Sequence, residues 1–394
     1  MFVIIRYLTI WIISFSFLIL EIPLSEAKSK QLPPFLANGI NFDWWVRREE
    51  KPLLPQYHIL SSIHAAGFTH IRYPLNPSWL VRYINDDHNI NCSNEVSIFI
   101  TNLIDVLKRT NLGLVLVLDA TNDEKSEKWL KEESARLAAV VTCLGTAAEA
   151  ADPQFARNMI AIGLLNEPRG NPQRWWNTQR DALSIARLAL PHVWLLAQAT
   201  YPSSITSILR EQPISVDRII YDVHFYEPFI FTHQGVRSAP DWLSTISGLP
   251  FRQPSPLNPC LAKVTVDGIA NCFSCRDGFE NLFCNKFKIE ALKFAFTVEH
   301  IERELLKLVA WANGRPVYIS EYGTNRGNSN RPGAPPEDRI AWLKHVASLA
   351  KQYGFGRAVY ALGCGFGVTT DFACSSKALD QEIVFDAEVT NVLR

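Results

Sequence analysis

The sequence predicts an α/β fold, a (β/α)8 TIM barrel, and three observations carry that prediction. Short apolar runs of strand length alternate with longer segments whose apolar residues recur at helical spacing. The strand-like runs number eight between Leu32 and the C-terminus, and eight parallel units are what closes such a sheet into a barrel. No Gly-rich phosphate turn follows an early run, which argues against a doubly wound open sheet.

In order, the strands are read at Ala37–Phe42, Thr69–Tyr73, Leu112–Asp119, Ile160–Leu165, Val193–Ala199, Ile219–Tyr226, Val317–Glu321 and Ala358–Leu362. The third contains "LGLVLVLD", a continuous apolar run of the kind expected of a parallel strand buried on both faces. Between the strands, Val96, Phe99, Ile100, Leu103 and Leu107 share one helical face. Val298, Ile301, Leu305, Leu308, Val309 and Ala312 share another, and Ile340, Leu343, Val346, Ala347 and Ala350 a third. One stretch breaks the rhythm. Residues 228–296 are rich in Pro and hold Cys260, Cys272, Cys275 and Cys284. They are expected to form a long Cys-rich insertion after the sixth strand, cross-linked because it has no core of its own.

The 394 residues, 47% of them hydrophobic, are enough for one large domain, placed at residues 32–394. Thirty-nine basic and thirty-nine acidic residues cancel, so nothing marks a nucleic-acid or anionic-membrane surface. At the N-terminus, Arg6, the apolar run Tyr7–Leu20 and the small-residue site Ser25-Glu26-Ala27 predict a signal peptide over residues 1–27. The protein is then secreted, periplasmic or extracellular. The other reading of Phe2–Leu20 is an uncleaved anchor, and only in that case is a membrane a partner. Eight cysteines suit an oxidising destination and are expected in disulfides of open connectivity. Cys272 and Cys275 lack a second such pair and any nearby His, while His58, His64 and His70 form no ligand set with a carboxylate, so no metal or cofactor is expected.

Two apolar runs end in a way that packing does not explain. "AIGLLNEPRG" breaks off in Asn166-Glu167-Pro168, and "PVYISEYGTN" carries Glu321. In a barrel the C-terminal strand ends converge on one mouth, and the fourth and seventh strands stand on opposite sides of it. Glu167 and Glu321 are therefore expected to face each other. A pair of opposed carboxylates is the machinery of glycoside hydrolysis: one, protonated, assists the leaving oxygen, and the other, ionised, attacks the anomeric carbon. A carbohydrate is the expected partner. Taken singly, each motif is ordinary turn chemistry, and His224 alone is more often a satisfied core residue. The joint placement on the fourth and seventh strands, with Arg72 on the second, is what a structural role leaves unexplained.

The Asn-Glu-Pro after the fourth strand and the Ser-Glu-Tyr-Gly at Ser320–Gly323 resemble glycoside hydrolase family 5, the cellulase family, within the retaining (β/α)8 glycosidases. The resemblance covers essentially the whole chain beyond the signal in strand order. It implies that Glu167 is the general acid/base and Glu321 the nucleophile. It implies that Asn166 binds the sugar 2-hydroxyl in the −1 subsite, that Arg72 of "HIRYP" holds the nucleophile, and that His224 and Tyr226 of "YDVHFYEP" flank the same subsite. The implied activity is cellulase-like double displacement on a β-linked glucan or related polysaccharide. A β-mannan-active or exo-acting β-glycosidase is the alternative, and a non-catalytic carbohydrate-binding barrel is an alternative of another class.

The chain departs from the family at two points. Where many members have a His after the third strand, this chain has Asp119, with Asn122 nearby, as candidates to replace its hydrogen bonds. Where most end the eighth strand with a Trp, this chain has "VYALGCGFGVT", in which Phe366 offers a ring and Cys364 a disulfide partner. Trp44 and Trp45 in "NFDWW" are the leading candidates to stack on sugar, Trp44 first. Trp175, Trp176 and Trp242 also lie near expected rims, with Trp176 expected to pack its own helix.

Overall fold

Eight strands pair in parallel and close on themselves: β1 (Gly39–Asn41), β2 (His70–Leu75), β3 (Gly113–Leu118), β4 (Ile160–Gly163), β5 (Trp194–Gln198), β6 (Ile219–Phe225), β7 (Val317–Tyr322) and β8 (Gly356–Val359). Each neighbours the next in chain order, and β8 pairs with β1 through Gly39↔Ala358 and Ile40↔Val359. This is the (β/α)8 barrel expected from the alternation, and the closed order excludes the doubly wound sheet. The computed structural model describes residues 32–42, 51–81, 92–119, 134–236, 246–251, 262–266, 269–273, 297–328, 331–370 and 381–394.

A helix follows each strand: α1 (Tyr57–Ala65), α2 (Asn94–Thr110), α3 (Ser134–Ala151), α4 (Pro172–Ala189), α5 (Ile205–Ile208), α6 (Val298–Ala312), α7 (Pro336–Tyr353) and α8 (Ala387–Leu393). Their ends are written in local chemistry. Ser93 and Thr297 cap α2 and α6 by accepting from Val96 and His300 main-chain N–H groups. Asn171 caps α4 just ahead of Pro172, which needs no hydrogen bond at that position. Asn111 and Asn313 end α2 and α6 in the left-handed conformation that Asn tolerates. The three helical faces read from periodicity turn their residues to the core, with Phe99, Val298, Val309 and Ile340 half-buried at its margin.

The barrel separates two cores. Outward residues such as Leu114, Leu116, Ile160, Ile162, Leu195 and Val223 pack under the helices. Inward residues Val115, Ala161, Leu196, Ile220, Tyr318 and Ala358 fill the barrel, closed from below by Phe35 and Leu36 on the 3-10 turn Pro34–Ala37. In that layer His70 bonds the Phe35 carbonyl at 2.9 Å and the Tyr318 hydroxyl at 2.7 Å. Burial lowers its pKa to about 3, so it is a neutral packing residue.

Several boundaries differ from the sequence reading. β4 stops at Gly163, two residues before the end of the apolar run, because Leu164 and Leu165 are buried in a bend rather than paired. β2 continues through Pro74 to Leu75, so Arg72 sits within the strand. Cys92 and Cys143 form a disulfide with Cα atoms 5.2 Å apart, and Cys364 is disulfide-bonded as well. Of the expected insertion, the structure describes a helical turn at Phe229–Thr232 and a small antiparallel sheet of Ile246–Ser247, Ala262–Val266 and Ile269–Phe273. Cys260, Cys275, Cys284 and Trp242, like the expected signal peptide at residues 1–27, lie outside the described residues.

Candidate active site

Barrel geometry alone does not aim Glu321 at the mouth. In β7, Tyr318 faces the barrel interior and Ile319 faces the helices, so strict alternation turns Ser320 in and Glu321 out. The register prevents this. Ile319 pairs with Val223 and Glu321 with His224, consecutive residues of β6, which leaves Ser320 as the extra residue of a bulge. Glu321 is thereby turned inward, and Tyr322 resumes the outward course toward Trp342. Asn41 of β1 secures the bulge by donating Nδ2 to the Ser320 carbonyl at 2.8 Å.

Arg72 ties three strands together beneath the mouth. Its Nη1 donates to Glu321 Oε1 at 2.7 Å and to Asn41 Oδ1 at 2.9 Å, and its Nη2 donates to Asn166 Oδ1 at 2.7 Å. The other end of the Asn166 amide donates to Asp119 Oδ1 at 3.4 Å, so Asp119 helps orient Asn166 in this chain. Asn122 lies outside the described residues. Burial works against the charge on Arg72, but Glu321, Asp222, Tyr318 and Asp119 outweigh it and raise its pKa. Burial likewise favours a neutral Glu321, yet His224 and Arg72 overcome that and hold its carboxyl below the ordinary value. Tyr226, just past β6, adds a hydroxyl donated to Glu321 Oε2 at 3.0 Å. Burial and the adjacent Glu321 charge push the Tyr226 pKa well up, so it remains a donor.

Glu167 lies four residues beyond β4 and has φ of 45°, the left-handed region that a side-chain-bearing residue rarely adopts. Gln198, the last residue of β5, holds it there: its Oε1 accepts the Glu167 main-chain N–H at 2.7 Å. That bond sets the amide orientation, because only oxygen can accept from N–H. The Gln198 nitrogen therefore faces His224 Nε2, 3.0 Å away. Neutral His224 then carries its proton on Nδ1, which lies 3.1 Å from Glu167 Oε1 and 3.5 Å from Glu321 Oε2. Burial disfavours charge on His224, but Glu321 and Glu167 prevail and raise its pKa. Since one nitrogen touches both carboxylates, their facing oxygens are at most about 6.6 Å apart, the two distances laid end to end.

The site thus brings together Glu167, Glu321, Arg72, Asn166, His224 and Tyr226, drawn from β2, β6, β7 and the segments after β4 and β6. Trp44 and Trp45 lie outside the described residues. Trp175 and Trp176 are buried, not on the rim: Trp175 donates its indole N–H to the Gln198 carbonyl at 2.7 Å, and Trp176 to the Gln212 carbonyl at 2.8 Å. Tyr360, just past β8, and Phe366 supply rings where the family's Trp was sought, with centroids 5.8 Å apart and Phe366 6.0 Å from Tyr226. Asn41, Gln198 and Tyr360 escaped sequence reasoning. The available signal was position: a polar residue at the C-terminal end of an otherwise apolar barrel strand faces the mouth.

Residues 29–364 match the sequence profile of the family described as Cellulase (glycosyl hydrolase family 5). The chain belongs to glycoside hydrolase family 5. Membership of that family makes it a cellulase-like glycosyl hydrolase on a (β/α)8 frame. Among relatives of this family-5 chain, Endoglucanase C of Acetivibrio thermocellus is 26% identical over 339 residues, covering 82% of this chain and 90% of that enzyme. Endoglucanase 3 of Fibrobacter succinogenes is 31% identical over 175 residues, which are 42% of this chain, and the match spans only 25% of that enzyme's length. The solved structure of Thermotoga maritima Cel5A in complex with cellobiose superposes with a TM-score of 0.65 at 20% identity, covering 92% of this chain and 100% of that one. At that identity the likeness speaks to the fold.

Proposed function

We propose that this family 5 member is a retaining β-glycoside hydrolase that cleaves β-linked glucan internally by double displacement. The observation that supports it best is the shared contact of His224 Nδ1 with Glu167 at 3.1 Å and Glu321 at 3.5 Å. Retaining enzymes keep their carboxyl groups about 5–5.5 Å apart, and inverting ones leave about 6.5–9.5 Å for a water. Contact through one nitrogen favours the closer class. The endo mode and glucan substrate are drawn from the endoglucanase names of the relatives.

In this reading Glu321, ionised beside Arg72 and fixed by Tyr226, attacks the anomeric carbon. The C–O bond to the leaving sugar breaks, and Glu167 delivers a proton to that oxygen. Asn166, held between Arg72 and Asp119, meets the 2-hydroxyl of the sugar. With Glu321 consumed in the ester, Glu167 accepts a proton from water, which attacks the same carbon and frees the nucleophile. His224 holds both carboxylates in register throughout. Export through residues 1–27 is part of the proposal, and the Cys92–Cys143 disulfide suits an oxidising destination.

The test is hydrolysis of a soluble β-glucan followed by proton NMR of the first-formed anomer. A β-anomer that later mutarotates is expected. An initial α-anomer overturns retention. Sugar binding without turnover by the wild type, Glu321→Gln and Glu167→Gln alike establishes the non-catalytic barrel instead.

A further inference from the structure

On the Glu167 side of the site the rim carries a second depression, about 350 Å3 in volume, that the reaction above does not use. Arg169, Thr200, Tyr201, Ser207 and Arg210 wall it, from the segments after β4 and β5 and the end of α5. It is joined to the acid/base loop: the Tyr201 main-chain N–H donates to the carbonyl of Pro168, the residue after Glu167, at 2.8 Å.

Its chemistry is one-sided. Both charged side chains in the wall are guanidinium groups, and among the described residues no carboxylate lines it. In a chain whose charges cancel overall, that is a local excess of positive charge. Glu211, next to Arg210 in sequence, is buried and is not in the lining; burial raises its pKa while the nearby charge of Arg210 acts to lower it. Among the described residues, no ion pair engages Arg169 or Arg210. Arg169 is nonetheless held in place, its guanidinium carbon 4.4 Å from the centroid of the Tyr201 ring. A guanidinium laid on a ring keeps its N–H edge free, and that edge matches the paired oxygens of a carboxylate or sulfate. The hydroxyl of Thr200 is a further donor in the same wall, while that of Ser207 shares a hydrogen bond with Ser204 Oγ at 3.1 Å.

We propose that this depression is a subsite for an anionic group, a sugar carboxylate or sulfate ester, on the leaving-group side of the bond being cut. The side follows from Glu167, which protonates the leaving oxygen and lies two residues before Arg169. The proposal rests on the hydrolase reading above, and it makes Arg169 and Arg210 specificity residues for acidic β-glucans.

The experiment compares kcat/KM on carboxymethyl-cellulose, cellulose sulfate and neutral hydroxyethyl-cellulose of matched chain length. In the double variant Arg169→Gln/Arg210→Gln, the anionic-to-neutral ratio is expected to fall about tenfold, as loss of two exposed charge contacts predicts. Arg169→Lys/Arg210→Lys is expected to recover part of it, and raising salt to lower the wild-type ratio. A fall confined to the carboxymethyl substrate assigns a carboxylate, and a fall confined to the sulfate assigns a sulfate ester. A ratio unchanged by the Gln substitutions overturns the proposal. If the wild type cleaves none of these polymers, the hydrolase reading fails by itself. The subsite is then read by calorimetry on Glu321→Gln with a cello-oligosaccharide carrying one glucuronic acid unit and with its neutral counterpart. Tighter binding of the acidic sugar, lost with both arginines, supports the subsite, and equal binding overturns it.

Discussion

The side-chain oxygen of Gln198 accepts the main-chain N–H of Glu167 at 2.7 Å, while the same amide's nitrogen lies 3.0 Å from His224. One amide on β5 therefore holds a left-handed residue in place and selects the proton position of the imidazole that touches both carboxylates. Gln198 is itself fixed by α4: its N–H donates to Gln179 Oε1 at 2.8 Å and its carbonyl accepts from Trp175 at 2.7 Å. Gln198→Ala is expected to lower kcat by about a hundredfold with little change in KM, since a small misplacement of a catalytic group costs that much. Steady-state kinetics on a soluble β-glucan checks it.

In the proposed mechanism Arg72 sets the acid side of the pH profile. There Glu321 must be ionised to attack, and its pKa lies below the ordinary 4.5 through His224 and Arg72 acting against burial. Removing Arg72 moves that pKa up, so the acidic limb of kcat/KM in Arg72→Met is expected at higher pH than in the wild type. An unmoved limb contradicts the assignment. The same depression carries stability that is present above about 4.5 and lost as pH falls through the folded pKa. Both partners of this ion pair are buried, so Arg72→Ala leaves the carboxylate supported by His224 and Tyr226 alone and is expected to cost about 3 kcal/mol in urea unfolding.

His224 runs the other way. Its pKa is raised above 6.5 by Glu321 and Glu167 against burial, so the stabilisation it lends is present below that value and lost as pH rises through the folded pKa. In His224→Gln the alkaline decline in thermal midpoint is expected to flatten relative to the wild type. Melts at graded pH read this directly.

Under the proposed double displacement, removing Glu167 separates the two chemical steps. In Glu167→Ala an aryl β-glycoside with a good leaving group is expected still to form the ester on Glu321, since its departure needs no proton. Hydrolysis of that ester is expected to be slow by about 10²–10⁴-fold, and added azide to restore turnover as a glycosyl azide. Absence of rescue counts against Glu167 as the acid/base.

The disulfide from Cys92 to Cys143 ties the chain ahead of α2 to α3 across 51 residues of sequence. Its loss in Cys92→Ala/Cys143→Ala is expected to destabilise by about 2–4 kcal/mol, mostly through the freer unfolded chain. Neither residue is part of the site, so kcat is expected to change little. Denaturant midpoints and initial rates measured together separate the two effects.

Strand and helix positions were legible in the sequence because apolar spacing is local: each barrel strand lies within two residues of an apolar run, and three helices within their predicted faces. Glu167 and Glu321 were legible for the same reason, as acids that interrupt such runs. Trp175 misled because an aromatic near a strand end reads alike whether it faces sugar or braces Gln198 from within.

By itself, then, the amino-acid order determined the eightfold alternation, the carboxylate pair and the identity of the cation beside Glu321. Only the tertiary structure decided how those groups are aimed. The bulge at Ser320, the left-handed turn at Glu167, the bond from Asn166 to Asp119 and the two arginines of one depression appear only when distant segments meet. Asn41 and Ser320 are 279 residues apart. A hydrogen bond across that separation exists because the barrel closes, and no window along the chain is wide enough to register it.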